Sequence, residues 1–445
     1  MSRHSKLGRR VATLVAGATL ACMSALADPR VDPALDAFIA TVKAVDNHTH
    51  VNSIAPDDAD SDALPLDGIP PFTMPERFRS EYPGWLDAYK ALYGYQHDDL
   101  AEPNIVELRA TMRRVRSDQG DRFPTWVLDK IGTEVMVANR IAMGPGLVPP
   151  RFRWASYVDA LMLPLSSATE RAANDDYAAL YPLEEKLLHR YLGDLKIEAL
   201  PPTLDAYVAT VVVPTLERQR KGGCIAVKFE AAYLRKLDFD DPDAAMAHAV
   251  YAKYVGSGAP AHAEYKSLQD FLFRTIAREA GRLGMAVHIH AFEGVGSAYK
   301  IAGSDPLLLE PALNDSTLRG TNFVIVHGGG IYASHTAALF MKPNLYADFS
   351  VMQQVYPASR VAGILRDWLA LYPEKVLFGT DAFAMGPDTG WEIGAWRASM
   401  DGRRALGIAL TEMMRDGEIT QARAQAIAKM VLRENAAKLY SLSIR

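Results

Sequence analysis

Five of the chain's eleven histidines stand where short apolar runs end: His48, His50, His288, His290 and His327. The other six fall in a basic N-terminal stretch, in polar loops or in helical patterns. In an extended strand, residues i and i+2 project to the same side, so the imidazoles of His48-Thr49-His50 point together. Two nitrogen donors on a rigid backbone suit Zn²⁺, and also Fe²⁺ or Mn²⁺. Val287-His288-Ile289-His290 repeats the spacing. His290, nearer the end of its run, is the better ligand candidate, and His288, one layer deeper, suits a hydrogen-bonded core histidine. His327 leads into Gly328-Gly329-Gly330. Backbone N–H groups of such a run can approach an anion or oxyanion while the imidazole polarises a carbonyl or acts as an acid. A flexible turn is the plain alternative.

Phe378-Gly379-Thr380-Asp381 closes the last apolar run. A carboxylate there can hold a metal and accept a proton from an attacking water, or it can cap a helix. Lys228 and Glu230 share one face of another run. A buried, neutral lysine amine can take up CO2 as a carbamate that bridges two metals. Glu230 can itself bridge, and an ion pair of Lys228 with Glu230 or Asp381 is equally compatible with the pattern.

The elements that must position these groups recur eight times. Short apolar, β-branched runs at 44–51, 134–141, 154–163, 224–230, 286–291, 323–327, 345–349 and 376–379 read as strands. Their continuous apolarity fits parallel strands covered on both faces. Between them lie helical patterns, such as Leu268, Leu272, Ile276 and Leu283 stopped by Gly284, and Val361, Leu365 and Trp368 stopped by Pro373. The alternation predicts a (β/α)8 TIM barrel, with an open doubly wound sheet as the other solution. Residues 52–132 and 165–222 are long helical insertions after strands one and three, placed to close over the C-terminal rim.

The first 27 residues form a separate object, with Arg3, Lys6, Arg9 and Arg10 before an apolar stretch and Ala25-Leu26-Ala27 ahead of Asp28. This is the layout of a bacterial signal peptide cleaved near Ala27, and its apolar run is about half the ~20 residues a membrane span needs. Lipidation at Cys22 is a lesser alternative. Residues 28–445 are then a single barrel domain in the periplasm or secreted. Without the four basic leader residues the formal charge moves from −5 to −9, which argues against nucleic acid or an anionic membrane as partner. The expected partner is a small-molecule substrate, without stable membrane insertion; homo-oligomerisation is left open. Cys224 alone remains, so no intramolecular disulfide can form.

His48-Thr49-His50, His290, His327-Gly328-Gly329-Gly330 and Gly379-Thr380-Asp381, in that order at strand ends, resemble the amidohydrolase superfamily. The branch nearest in pattern is the amidohydrolase-related group that includes aminocarboxymuconate-semialdehyde decarboxylase, whose final helix the tail Leu432–Tyr440 is similar to. The resemblance implies a divalent metal, most often zinc, one or two ions per chain, with His48, His50, His290 and Asp381 as ligands and His327 polarising or donating a proton. Lys228 within Ala226-Val227-Lys228-Phe229-Glu230 resembles the strand-four lysine of other members and implies a carbamylated bridge. The expected reaction is hydrolysis of a C–N or C–O bond in a small carbonyl substrate by a metal-activated water, with Asp381 as proton acceptor. Non-oxidative decarboxylation is the alternative, sugar isomerisation a more distant one, and a non-catalytic binding protein the reading from another class. Arg140, Arg153, Tyr233, Arg235, Glu293 and Trp391 lie near strand ends and are candidates to contact substrate, an arginine as a carboxylate clamp.

Overall fold

A computed structural model describes residues 28–444, apart from 56, 66–72, 80, 81, 295, 297, 298 and 387. The leader-like segment and Cys22 lie outside the described residues. Eight parallel strands follow one another in sequence order around a single sheet: β1 Ala44–Thr49, β2 Thr133–Arg140, β3 Phe152–Tyr157, β4 Cys224–Phe229, β5 Ala286–His290, β6 Phe323–Val326, β7 Leu345–Asp348 and β8 Val376–Leu377. The chain beyond β8 closes the circle onto β1: Asn47 N–H donates to Phe378 O (2.8 Å), Asp381 N–H to His48 O (2.8 Å) and His50 N–H to Ala382 O (2.7 Å). The (β/α)8 barrel expected from the alternation is the observed fold.

Every residue of β1, β4 and β5 is buried, as two-sided coverage requires. Outside, helices pack on the sheet through the faces read from periodicity. His262–Arg282 buries Leu268, Leu272 and Ile276 and ends before Gly284, whose φ of +68° turns the chain back. Ala358–Leu371 buries Val361, Leu365 and Trp368. Inside, the barrel floor is apolar (Val45, Val137, Ala226, Val324, Leu377), and the C-terminal tail plugs it with Tyr440.

One strand differs from expectation. The run 154–163 leaves the sheet at Tyr157 and becomes a buried helical turn, Asp159–Met162. A short apolar run with no polar alternation fits a buried helix as well as a strand. Asp159 settles the matter by accepting the Glu230 backbone N–H (2.8 Å). The first insertion reaches over the C-terminal rim: Arg77 donates to the carbonyls of Gln353 and Gln354 (3.2 and 3.1 Å) and to Asp401 (2.6 Å). The second packs behind β3, with Tyr191 Oη on Tyr157 O (2.6 Å). Among the described residues no helix is long and apolar enough to cross a membrane.

Candidate metal centre

At the C-terminal end of β1 the two imidazoles of His48 and His50 turn to one carboxylate. Asp381 Oδ1 lies 3.1 Å from His48 Nε2 and 3.5 Å from His50 Nε2. Donor atoms of the three residues all fall within 4.8 Å of one another. Asp381 reaches this position with a φ of +54°, and His327 sits at +68°. Non-glycine residues rarely adopt that region, and its use after both β6 and β8 is strain held in place by the surrounding fold.

Two further histidines, His327 and His290, extend this group. His327 lies between His48 and His290, with ring centroids 4.9 and 4.8 Å away. The Nε2 atoms of His48 and His290 are buried and make no hydrogen bond. Burial, reinforced by the Lys228 charge, pushes both imidazoles well below the ordinary histidine range. Neutral rings with orphaned, inward nitrogens are what a divalent cation requires. His50 differs: burial pushes it down, but the charges of Asp62 and Asp381 more than offset this and raise it. Burial raises Asp381 to about 6. The donor set therefore fits a divalent cation on His48, His50 and Asp381, with His290 joined to them through His327.

His327 has a defined orientation. Its Nδ1 contacts the Ser350 carbonyl (3.2 Å) and Ser350 Oγ (2.8 Å). A carbonyl only accepts, so Nδ1 carries the proton and Nε2 carries a lone pair. Burial, reinforced by the Lys228 charge, holds the ring well below the ordinary histidine range. As a neutral ring it offers the cavity an acceptor, so the expected role as donor to a carbonyl needs prior protonation. The glycines that follow His327 answer to close packing. Gly329 N–H donates to Ala291 O (3.0 Å). A Cβ on Gly328 would meet Trp368 at 2.2 Å, and one on Gly330 would meet Glu293 Oε2 at 1.8 Å. The run exists because other groups pack against the backbone there.

Lys228 is buried inside the barrel with Nζ 3.4 Å from Glu230 Oε1, so the unmodified amine forms the ion pair with Glu230. Arg140 and Arg235 are structural ties. Arg140 is buried and spends its guanidinium on Asp58 (2.6 and 2.9 Å), Val51 O and Ala142 O. Arg235 spends its own on Gln269 (2.9 Å) and Asp270 (2.7 Å). Arg153, with a buried Nε lacking a partner, lies at the N-terminal end of β3, and Trp391 is buried at the head of a helix. Tyr233 and Glu293 line the mouth. The Tyr233 ring is 4.6 Å from that of His290, and Glu293 accepts from Tyr356.

Three neighbours of the centre carry no motif. Asn139 on β2 lies 2.7 Å from His48 Nδ1, Tyr157 on β3 lies 3.0 Å from His50 Nδ1, and Asp62 lies 3.1 Å from that same nitrogen. Asn139 stands two residues after Val137 near the end of its strand, a position that inward alternation alone could have marked.

An amidohydrolase family model matches residues 196–442, more than half of the chain. Three solved structures share the fold over nearly its whole length. A protein described as a metal-dependent hydrolase from Lactobacillus casei is 16% identical, with 91% of this chain and 96% of that one covered and a TM-score of 0.55. Uronate isomerase from Thermotoga maritima is 14% identical (92% and 98% covered, TM-score 0.56). Glucuronate isomerase from Caulobacter crescentus is 14% identical (94% and 97% covered, TM-score 0.61). No curated protein sequence matches the chain significantly. With the barrel, the strand-end donors and the family match together, the chain belongs to the amidohydrolase family.

Proposed function

We propose that this protein is a metal-dependent hydrolase that cleaves a C–N or C–O bond of a small carbonyl substrate. The carrying observation is the convergence of His48 Nε2 and His50 Nε2 on Asp381 Oδ1 at 3.1 and 3.5 Å. A divalent cation held by these residues, with His290 beside them, supplies Lewis acidity that acidifies water and polarises a carbonyl oxygen. The nitrogen-rich set suits Zn²⁺, with Mn²⁺ or Fe²⁺ also compatible. Asp381, the carboxylate on which both imidazoles converge, takes the water proton and returns it to the leaving group. His327 Nε2 is the second acceptor within reach, and once protonated it donates to the oxygen that gains charge. Tyr233, Phe292 and Tyr356 wall this side of the centre and limit water to the reacting molecule. The leader-like segment 1–27 supports action in the periplasm or outside the cell.

A second reading is isomerisation of a sugar acid, favoured by the likeness to uronate and glucuronate isomerases along 92% and 94% of the chain. The same acceptors would then carry a proton between neighbouring carbons. Metal-loaded protein incubated with amides, lactones and uronates separates the two by product mass. Hydrolysis adds one water, isomerisation leaves the mass unchanged, and loss of CO2 would replace both readings with a decarboxylase. Full turnover by Asp381→Asn would refute the role given to that carboxylate.

A further inference from the structure

The first insertion contains the acidic run Asp57-Asp58-Ala59-Asp60-Ser61-Asp62. Its alternate carboxylates go to three different elements. Asp58 takes Arg140 of β2 and the Ser53 N–H (2.5 Å). Asp60 takes Arg190, with Nη2 to Oδ2 at 3.0 Å, from the helix Tyr181–Asp194 of the second insertion. Asp62 turns into the barrel mouth, with Oδ2 3.1 Å from His50 Nδ1 and Oδ1 accepting the Leu64 N–H at 3.1 Å.

We propose that Asp62 is a positioning residue for the metal centre, and that the Arg140–Asp58 and Arg190–Asp60 pairs latch the loop that delivers it. The inference rests on the metal-dependent reading above. Tyr157 Oη also lies 3.0 Å from His50 Nδ1, but a hydroxyl can accept as well as donate. An ionised carboxylate only accepts, so the arrangement that satisfies Asp62 holds the proton of His50 on Nδ1 and leaves the Nε2 lone pair facing Asp381. The same contact fixes the ring plane and makes the imidazole more electron-rich, the usual service of a carboxylate behind a metal-binding histidine. The rival is a second cation held directly by His50, Asp62 and Glu230, whose donor atoms also lie within 4.8 Å of one another. Against it, the Lys228 ammonium already stands 3.4 Å from Glu230, and a cation there would be repelled by it. His50 would also have to give up its Nδ1 proton.

The test compares Zn²⁺ affinity and stoichiometry of the whole chain, by chelator competition near neutral pH, for wild type, Asp62→Asn, Asp62→Ala and Arg190→Ala. Wild type is expected to bind one ion at the His48–His50–Asp381 centre. The Asp62 variants should bind roughly 10–100-fold more weakly, and Co²⁺-loaded samples should show an altered visible spectrum. Arg190→Ala, a surface change remote from the ion, should weaken binding in the same direction by a smaller factor, and it keeps the test decisive if the Asp62 variants do not fold. Unchanged affinity in the Asp62 variants, or in Arg190→Ala where it alone folds, overturns the inference while leaving a metal-dependent enzyme. Two ions in wild type with one lost in Asp62→Asn makes Asp62 a ligand and also overturns it. No ion bound by wild type removes the metal-dependent reading and this inference together.

Discussion

His288 Nε2 and Tyr440 Oη stand 2.6 Å apart across the floor of the barrel, joining the fifth strand to the sixth residue from the C-terminus. Tyr440 donates onward to Asn47 Oδ1, Asn47 to Asp348 Oδ2 (2.7 Å), and Asp348 Oδ1 accepts from Ser350 Oγ (2.5 Å). Ser350 in turn holds the His327 ring. A buried polar chain thus runs from the plug at the bottom of the barrel to the rim. Such networks specify one packing only when every member is satisfied.

Removing one hydroxyl from that chain leaves two buried groups unpaired. Tyr440→Phe keeps the ring but strips His288 Nε2 and Asn47 Oδ1 of their partner. The expected loss is about 1–3 kcal/mol for each group left bare, measured as a lower urea midpoint with unchanged m-value. A variant as stable as wild type would mean that water or a neighbour replaces the hydroxyl.

The same pair sets an acid limit on the fold. Burial, with the Lys228 charge, pushes His288 down to about 3, against about 6.5 in an unfolded chain. Below the unfolded value the unfolded state binds the proton and the folded state does not. Stability is therefore complete above pH 6.5 and declines toward pH 3, by up to about 1.4 kcal/mol per pH unit for this group. Urea titrations of the metal-free chain between pH 8 and pH 4 should show that decline. His288→Asn should flatten part of it, and a slope identical to wild type would assign the acid sensitivity elsewhere.

Much of this was legible before the structure. Each of the eight strands overlaps the apolar run that marked it, because a barrel strand is buried on both faces and leaves a continuous signal. The third run, 154–163, overshoots into the helical turn Asp159–Met162. His48, His50 and Asp381 converge because strand-end position and i, i+2 spacing fix direction locally. What the sequence hid was non-local. Nothing in the Gly328-Gly329-Gly330 run itself shows that Trp368, Pro306 and Glu293 press on it. Arg140 looks like a substrate clamp until Asp58, from the insertion, occupies it. Asp62 was one acid among four in a loop of acids, and only the path of the insertion selects it. Tyr440 lies inside the tail segment that family resemblance marks, yet its partnership with His288 spans 152 residues.

Gly328 tests the packing account of the glycine run. It has a φ of +56°, and a Cβ there would lie 2.2 Å from Trp368 Cη2 and 2.9 Å from Asp348 O. Gly328→Ala should cost at least about 2 kcal/mol, from overpacking of about 1–3 kcal/mol plus the left-handed backbone penalty. The readout is the thermal midpoint together with near-UV dichroism, since Trp368 is the group displaced. A variant that melts with wild type would show that the glycines are there for freedom of motion.

Removal of the cation should have a signature in stability as well as in turnover. With ligand at 100 times its dissociation constant, binding to the native state alone adds about 2.7 kcal/mol. Dialysis against a chelator should therefore lower the melting temperature, and added Zn²⁺ should restore it. The gain should shrink as pH falls through about 6, because Asp381 titrates near that value and protons then compete with the ion for its carboxylate. His48→Ala removes the unpartnered Nε2 and should abolish most of the Zn²⁺-dependent shift. It also strips Asn139 of a partner, so the readout is the difference between the variant's melting temperatures with and without Zn²⁺. If the chain melts at one temperature with and without Zn²⁺ at pH 7.5, the convergence of His48 and His50 on Asp381 is a buried ion pair and nothing more.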